Sequence, residues 1–185
     1  VIGGGPAGLF AARLLKQRLP GARVRVSERT VPDDTFGFGV ALTARTLHAV
    51  AEAERTTYDR LIDAAVAMPE QEMCIDGVSA CAKGNGGGIA IARARLLAVL
   101  LDEAVTAGVE VDLGVERHLD EVRDAELVIA ADGVGSRTRA ALGEHLGGQV
   151  TPGRGLFMWL GCGTRLRSNL FVPVRTEHGM FTIHG

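Results

Sequence analysis

Six consecutive residues near the start of the chain, Gly3-Gly4-Gly5-Pro6-Ala7-Gly8, put glycines at the first, third and sixth positions of a G-x-G-x-x-G pattern. That spacing suits a pyrophosphate. Gly3 permits a tight turn, Gly5 lets the backbone approach the phosphates, and Gly8 lets the following helix lie close against a sheet. The N-terminus of that helix adds free N–H groups and the positive end of its dipole. Glu28 comes 20 residues after Gly8, at the end of the next strand, where a carboxylate can accept hydrogen bonds from both hydroxyls of an adenosine ribose. A carboxylate at this point, rather than a basic group, disfavours a 2′-phosphate, so the expected nucleotide is FAD or NAD. A glycine-rich turn is weak evidence alone; at a strand-to-helix junction inside a βαβ unit it becomes specific.

The elements that must position these groups are readable around them. VIGGGPAGLFAARLLKQRLPG has the form strand, turn, helix, with Leu9, Ala12, Leu15 and Leu19 at helical spacing and Pro20-Gly21 as the stop. In RVRVSER, Val24 and Val26 alternate with charged residues as a strand does, closing a βαβ unit of about 30 residues. A loop and helical region follows, with Gly37-Phe38-Gly39 as a flexible turn and Leu47, Val50, Leu61 and Ile62 as core positions. Residues 73–92 read as strands around a break at KGNGGG, ARARLLAVLLDEAVTAG as a helix ending at glycine, and GVEVDLG as a short strand. ELVIAADGVGSRTRAALG contains a buried apolar strand from Leu127 to Ala131, a turn at Asp132-Gly133 and a helix that Ser136 can cap. Strands alternating with helices point to an α/β fold with a parallel sheet.

Composition narrows the function classes. The 185 residues are 46% apolar, enough to bury a core, and 20 basic against 22 acidic side chains give a net charge of −2. That balance provides no electrostatic footprint for nucleic acid or an anionic membrane surface, so small-molecule partners are expected. Cys74, Cys81 and Cys162 have neither CxxC nor metal-ligand spacing and read as ordinary buried thiols. No metal site is expected. With no apolar run of spanning length and no secretory leader, a cytoplasmic protein is expected.

Asp132 and Gly133, between strand and helix in AADGVGSRTR, resemble the Asp-Gly motif of the FAD-dependent aromatic hydroxylases, the flavoprotein monooxygenase family. IARARLL resembles the same family's strand-to-helix segment, and by that alignment Arg93, rather than Arg95, contacts the FAD phosphates. The three motifs occur in family order. ERTVPDDTFGFGVALT, GNGGGIAIARARLL and the segment from FMWLGCGTRL to TEHGMFTIHG are similar to the branch acting on aryl-coenzyme A thioesters, which includes salicyloyl-CoA and 2-aminobenzoyl-CoA monooxygenases. The match spans Val1 to Gly185 and is poor between Thr46 and Ala82.

The resemblance implies a Rossmann-like FAD-binding domain over residues 1–150 and the start of a β-rich substrate domain over 151–185. It implies FAD as cofactor, held by Gly3, Gly5, Pro6, Ala7, Gly8, Glu28, Arg29, Arg93, Asp132 and Gly133. NADH or NADPH is the transient co-substrate, and one atom of O2 passes to an aromatic substrate that can be coenzyme A-linked. The flavin carries the difficult chemistry, so neither a nucleophile triad nor a metal cluster is required. Another flavoprotein of the same fold, a halogenase or reductase, is the alternative, as is a non-catalytic nucleotide-binding fragment.

The chain opens at Val1, two residues before the turn, and no counterpart of the family's second, Gly-Asp, flavin motif occurs; a fragment lacking part of its first strand and half its flavin site is the expectation. The remaining features have plainer readings. KGNGGG lacks the Gly-Lys-Ser/Thr ending of a phosphate loop and reads as a flexible connection. His48, His118, His145, His178 and His184 have no ligand spacing and are assigned structural roles, while Phe157 and Trp159 alternate on an expected strand that packs in the core or lines a pocket.

Overall fold

Pro6 follows the glycine turn at the first helical position, where its missing N–H costs nothing, and α1 (Pro6–Arg18) runs from it with Gly8, Leu9 and Ala12 buried. Pro20 ends the helix and the chain returns through β1 (Arg25–Glu28), in which Val26 is fully buried and preceded by the buried Val24. This computed structural model describes residues 1–31, 38–161, 163 and 168–185, with backbone alone at residues 69 and 83–87. Gly37 and Cys162 therefore lie outside the described residues.

Two compact units divide the chain. One comprises Val1–Gly37 and Arg93–Trp159, the other Phe38–Ala92 and Leu160–Gly185. The expected division at 150/151 is not the one the backbone follows, because residues 38–92 belong with the C-terminal strands.

In the first unit, α4 (Arg93–Thr106) leads into β5 (Glu110–Leu113), which pairs in parallel with β1, Val26 opposite Val111. Ile2 bridges in parallel to Ser27 on one side and Ala130 on the other, so four extended segments run side by side in the order β5, β1, Ile2 and Ala130. The parallel arrangement expected from the alternating pattern is present. The strand expected over 127–131 is reduced to that single bridge: Leu127 is 63% exposed, and none of the described segments pairs with it on that side. Leu96, Val99, Leu100 and Ala104 form the buried face of α4, which packs on α1. Ser136 caps α5 (Arg137–Leu146) by accepting the Arg139 N–H at 2.9 Å, and Gly147, at φ 61°, ends it in the left-handed conformation. Phe157 and Trp159 lie on no strand; their rings meet edge to face at 4.7 Å and both are exposed, contrary to a core or pocket role.

The second unit is a mixed sheet, ordered β2-β4-β3-β6-β7, built from β2 (Gly39–Leu42), β3 (Val66–Ile75), β4 (Val78–Ala92), β6 (Asn169–Thr176) and β7 (Gly179–His184). Its neighbours are antiparallel except β3 and β6. KGNGGG lies within β4, and the expected break is a break in pairing rather than in the strand: Met68 pairs with Gly88 and Glu70 with Lys83, and the β3 ladder shifts register between them. Gly39, expected in a flexible turn, pairs with Ala92. Helices α2 (Ala44–Ala53) and α3 (Arg55–Asp63) follow β2, the second capped by buried Glu54, which accepts the Thr57 N–H at 2.7 Å. Leu47 and Leu61 are buried as expected; Val50 is half-buried and Ile62 lies 36% exposed on the outer face of α3. Cys74 is half-buried and Cys81 exposed, so neither is the buried thiol expected.

Candidate functional site

The glycine turn is built by close approaches that only glycine permits. Gly3 has φ 100°, and a Cβ there would collide with the Ala131 carbonyl. A Cβ on Gly8 would run into the Gly3 carbonyl oxygen and press on the Ala131 side chain at 3.2 Å, so Gly8 is what lets α1 start directly on the turn. Gly4, only a spacer in the motif, is demanded by the next strand: its Cβ would sit 2.7 Å from that of Glu28. Gly5 is the opposite case, since a Cβ there meets nothing within 4 Å. It leaves room beside the first turn of α1, whose N–H groups have no intrahelical acceptors, and an anion can be held there. Ala7 is exposed at the same helix start.

Glu28, at the end of β1, faces this turn. Its Oε2 accepts the Gly4 N–H at 2.6 Å, and its Oε1 accepts both the Thr30 N–H at 2.8 Å and the Thr30 hydroxyl at 2.7 Å. Burial pushes the carboxyl up, but the hydrogen bonds from Thr30 and Gly4, with the nearby Arg29 charge, outweigh it and hold the pKa below its ordinary value. A carboxylate has about four lone-pair sites; three are used, and one remains on Oε2. With Thr30 in place, Glu28 therefore has capacity for one further donor, not for both ribose hydroxyls. Thr30 escaped the motif reading, although a hydroxyl residue two positions beyond an acidic one is a common local hydrogen-bond partner.

Asp132 and Gly133 lie on the far side of Ile2. The Asp132 Oδ1 accepts the Ser136 hydroxyl at 2.6 Å and Oδ2 accepts the Thr138 N–H at 3.1 Å, which ties the Asp to the N-terminus of α5. Burial opposes ionisation, and these hydrogen bonds overcome it, so this pKa too is lowered. Gly133 has φ 81°, a backbone state that favours glycine.

Gly3, Glu28, Arg29 and Asp132 line one cleft together with His118 and Arg137. The cleft is small and open to solvent, about 60 Å3, so it can grip an edge of a nucleotide but not surround one. Arg29 and Arg137 both approach Glu116, at 3.8 and 3.7 Å, and an Arg137 guanidinium N–H donates to His118 Nε2 at 3.2 Å. His118, expected to be structural, lies at this cleft beside Arg137. His48 and His178 lie beside Glu52 and Glu177, and the His184 ring meets Phe171 edge on.

Arg93 is not among the residues lining this cleft. It is the first residue of α4, half-buried, and its Nε is buried without a hydrogen-bond partner among the described residues. A buried guanidinium N–H of this kind favours an anion. Among the described residues no group of three or more His, Cys, Asp or Glu is placed to hold a metal, and no helix is long and apolar enough to cross a membrane.

No protein-family profile matches the chain. It is 35% identical over 189 residues to salicyloyl-CoA 5-hydroxylase from a Streptomyces species, a match covering 99% of this chain and 35% of the relative. It is 31% identical over 185 residues to 3-hydroxy-4-methyl-anthranilyl-(aryl-carrier protein) 5-monooxygenase from Streptosporangium sibiricum, covering 100% of this chain and 52% of the relative. A crystal structure of a 2-methyl-3-hydroxypyridine-5-carboxylic acid oxygenase variant matches with TM-score 0.64 and 28% identity over 77% of this chain and 41% of that one. The chain thus spans about a third (35%) to a half (52%) of the length of these curated relatives.

Proposed function

We propose that this chain, which belongs to the FAD-dependent aromatic hydroxylase family, holds the adenosine and pyrophosphate portion of FAD in a monooxygenase. Its reaction is hydroxylation of an aromatic ring with NAD(P)H and O2. When bound, the flavin supplies the redox chemistry by which one oxygen atom reaches the ring.

The chain's own residues bind and orient. The space at Gly5 and the free N–H groups at the start of α1, around Pro6, Ala7 and Gly8, take the pyrophosphate. The remaining lone pair on Glu28 Oε2 accepts one hydroxyl of the adenosine ribose. Arg29 borders the cleft at that end. Arg93 offers its buried, unpartnered N–H as counter-charge to the phosphates, while Asp132 and Gly133 turn the chain beside the ribityl. The single observation that carries this reading is the ionised Glu28, fixed from both sides by Gly4 and Thr30 beside a turn that glycine alone can make.

The substrate we propose is an aromatic acyl thioester, since the two relatives named above are a CoA-thioester hydroxylase and an aryl-carrier-protein monooxygenase. The test is to reconstitute the purified protein with FAD and mix it anaerobically with NADH or NADPH, with and without salicyloyl-CoA. Accelerated bleaching of the flavin absorbance by the thioester is the expected result. A protein that takes up no FAD overturns the cofactor reading; one that binds FAD yet responds only to free aromatic acids overturns the thioester.

A further inference from the structure

The mechanism uses neither member of a buried ion pair that joins α1 to α4. Arg13 Nη2 of α1 lies 3.3 Å from Glu103 Oε2 of α4, with side-chain exposures of 16% and 5%. Helix α1 leads into β1 and α4 into β5, and these strands are parallel, so the helices run in the same direction. The Lys16 Cε beside Gly108 fits this, since Lys16 lies further along α1 and Gly108 just past the end of α4.

Counting back from the pair, Arg13 is seven residues from Pro6 and Glu103 is ten from Arg93. At 1.5 Å per residue these are about 10 and about 15 Å. With Arg13 and Glu103 taken as level, Arg93 stands about 5 Å beyond the first residue of α1 along the common axis, on the side from which an anion meets that helix end. A one-residue slip of α4 would move it by about 1.5 Å. The rest of the buried face of α4 is aliphatic, Leu96, Val99, Leu100 and Ala104, and such packing is non-directional. A buried ion pair has a defined geometry, and setting register is the best-attested use of one.

We propose that Arg13 and Glu103 are positioning residues that fix the axial register of α4 against α1 and thereby hold Arg93 level with the phosphate cradle. This rests on the reading of Arg93 and Gly5 as FAD phosphate contacts.

The experiment measures FAD dissociation constants by flavin fluorescence, together with melting temperatures, for wild type, Glu103→Gln and the paired apolar variant Arg13→Met/Glu103→Leu, each with and without Arg93→Ala. Glu103→Gln should weaken FAD binding about tenfold, an ordinary coupling between sites. The apolar pair should melt no lower than wild type, because such replacements are often neutral or stabilising, yet keep the tenfold loss. Both losses should vanish in the Arg93→Ala background. Wild-type affinity in the apolar variant would make the pair merely structural, and a loss undiminished by Arg93→Ala would show that it does not act through Arg93; either overturns the proposal. If Glu103→Gln fails to fold, the apolar variant alone decides. Equal FAD affinity of wild type and Arg93→Ala overturns the Arg93 contact itself, and no binding by wild type overturns the cofactor reading and this proposal together.

Discussion

Replacing Glu28 by alanine removes an acceptor that serves the fold before it serves any ligand. Three donors lose their partner: the Gly4 N–H, the Thr30 N–H and the Thr30 hydroxyl, at 2.6, 2.8 and 2.7 Å. Hydrogen bonds to a charged group contribute about 1.5–3 kcal/mol each where desolvated. Glu28 is only half-buried, so water reaches the freed groups and about 1 kcal/mol per bond is the better figure. Relief of the carboxylate's own desolvation, the largest influence opposing its ionisation, offsets part of the sum and leaves about 2–3 kcal/mol. For a chain of this size each kcal/mol moves the melting temperature by about 2–4 °C, so Glu28→Ala should melt about 5–10 °C lower. Glu28→Gln should fall about halfway: its one amide oxygen can serve Thr30, while its NH2 then faces the Gly4 N–H donor to donor. Thermal unfolding followed by circular dichroism at neutral pH, without added nucleotide, gives both numbers. A Glu28→Ala protein melting within about 1 °C of wild type, or a Gln variant as damaged as the Ala one, would refute the account of the turn as held together by this carboxylate.

The neighbouring glycines should separate stability from binding. Gly5→Ala adds a methyl that meets no protein atom, so melting should drop by no more than about 3 °C, whereas FAD affinity should fall at least about tenfold because the methyl occupies the phosphate space. Gly8→Ala, whose methyl strikes the Gly3 carbonyl, should lose about 3 kcal/mol or more and yield little folded protein by the same melting assay. Acid should destabilise the nucleotide unit in a defined window. Glu28 and Asp132 are both held below their ordinary values of 4.5 and 3.8. Their stabilisation is therefore complete above those values and is lost as the pH falls through the lower folded ones. Urea midpoints measured at decreasing pH should fall across this window, and the Glu28→Gln/Asp132→Asn variant should show a shallower slope.

The candidate site was legible because its parts are local. A turn, a helix start and the strand that returns to it occupy Ile2 to Glu28, and Gly3, Gly4 and Gly8 are each required by an atom within that stretch or by Ala131, next to the bridge at Ala130. Ser136 could be named as a cap because it bonds three residues ahead. The second unit was less legible because its sheet is assembled across distance. Val66 to Met68 pair with residues 88–90, and residues 71–73 pair with residues 169–171, so no window along the chain contains both partners. KGNGGG interrupts the pairing as its glycines suggest, but that one strand runs through it is decided by pairings on either side. The 127–131 segment failed in the other direction: five apolar residues read as a buried strand, but burial depends on a neighbour, and beyond Leu127 none of the described segments pairs with it.

The motif assigns Glu28 wholly to a ribose, and the geometry divides it. Three of its four acceptor sites build the glycine turn and its Thr30 support, and one is left open. The division has a consequence for how the site reads nucleotides. A carboxylate already fixed by Gly4 and Thr30 loses little freedom when a hydroxyl arrives, so its single bond costs little ordering. It is ionised at neutral pH with or without those donors, so Thr30 acts on the site by fixing the position of the carboxylate rather than its charge. Discrimination against a phosphorylated ribose should then depend on Thr30 as well as on Glu28. The motif does not name Thr30 because it contacts the acid rather than the nucleotide.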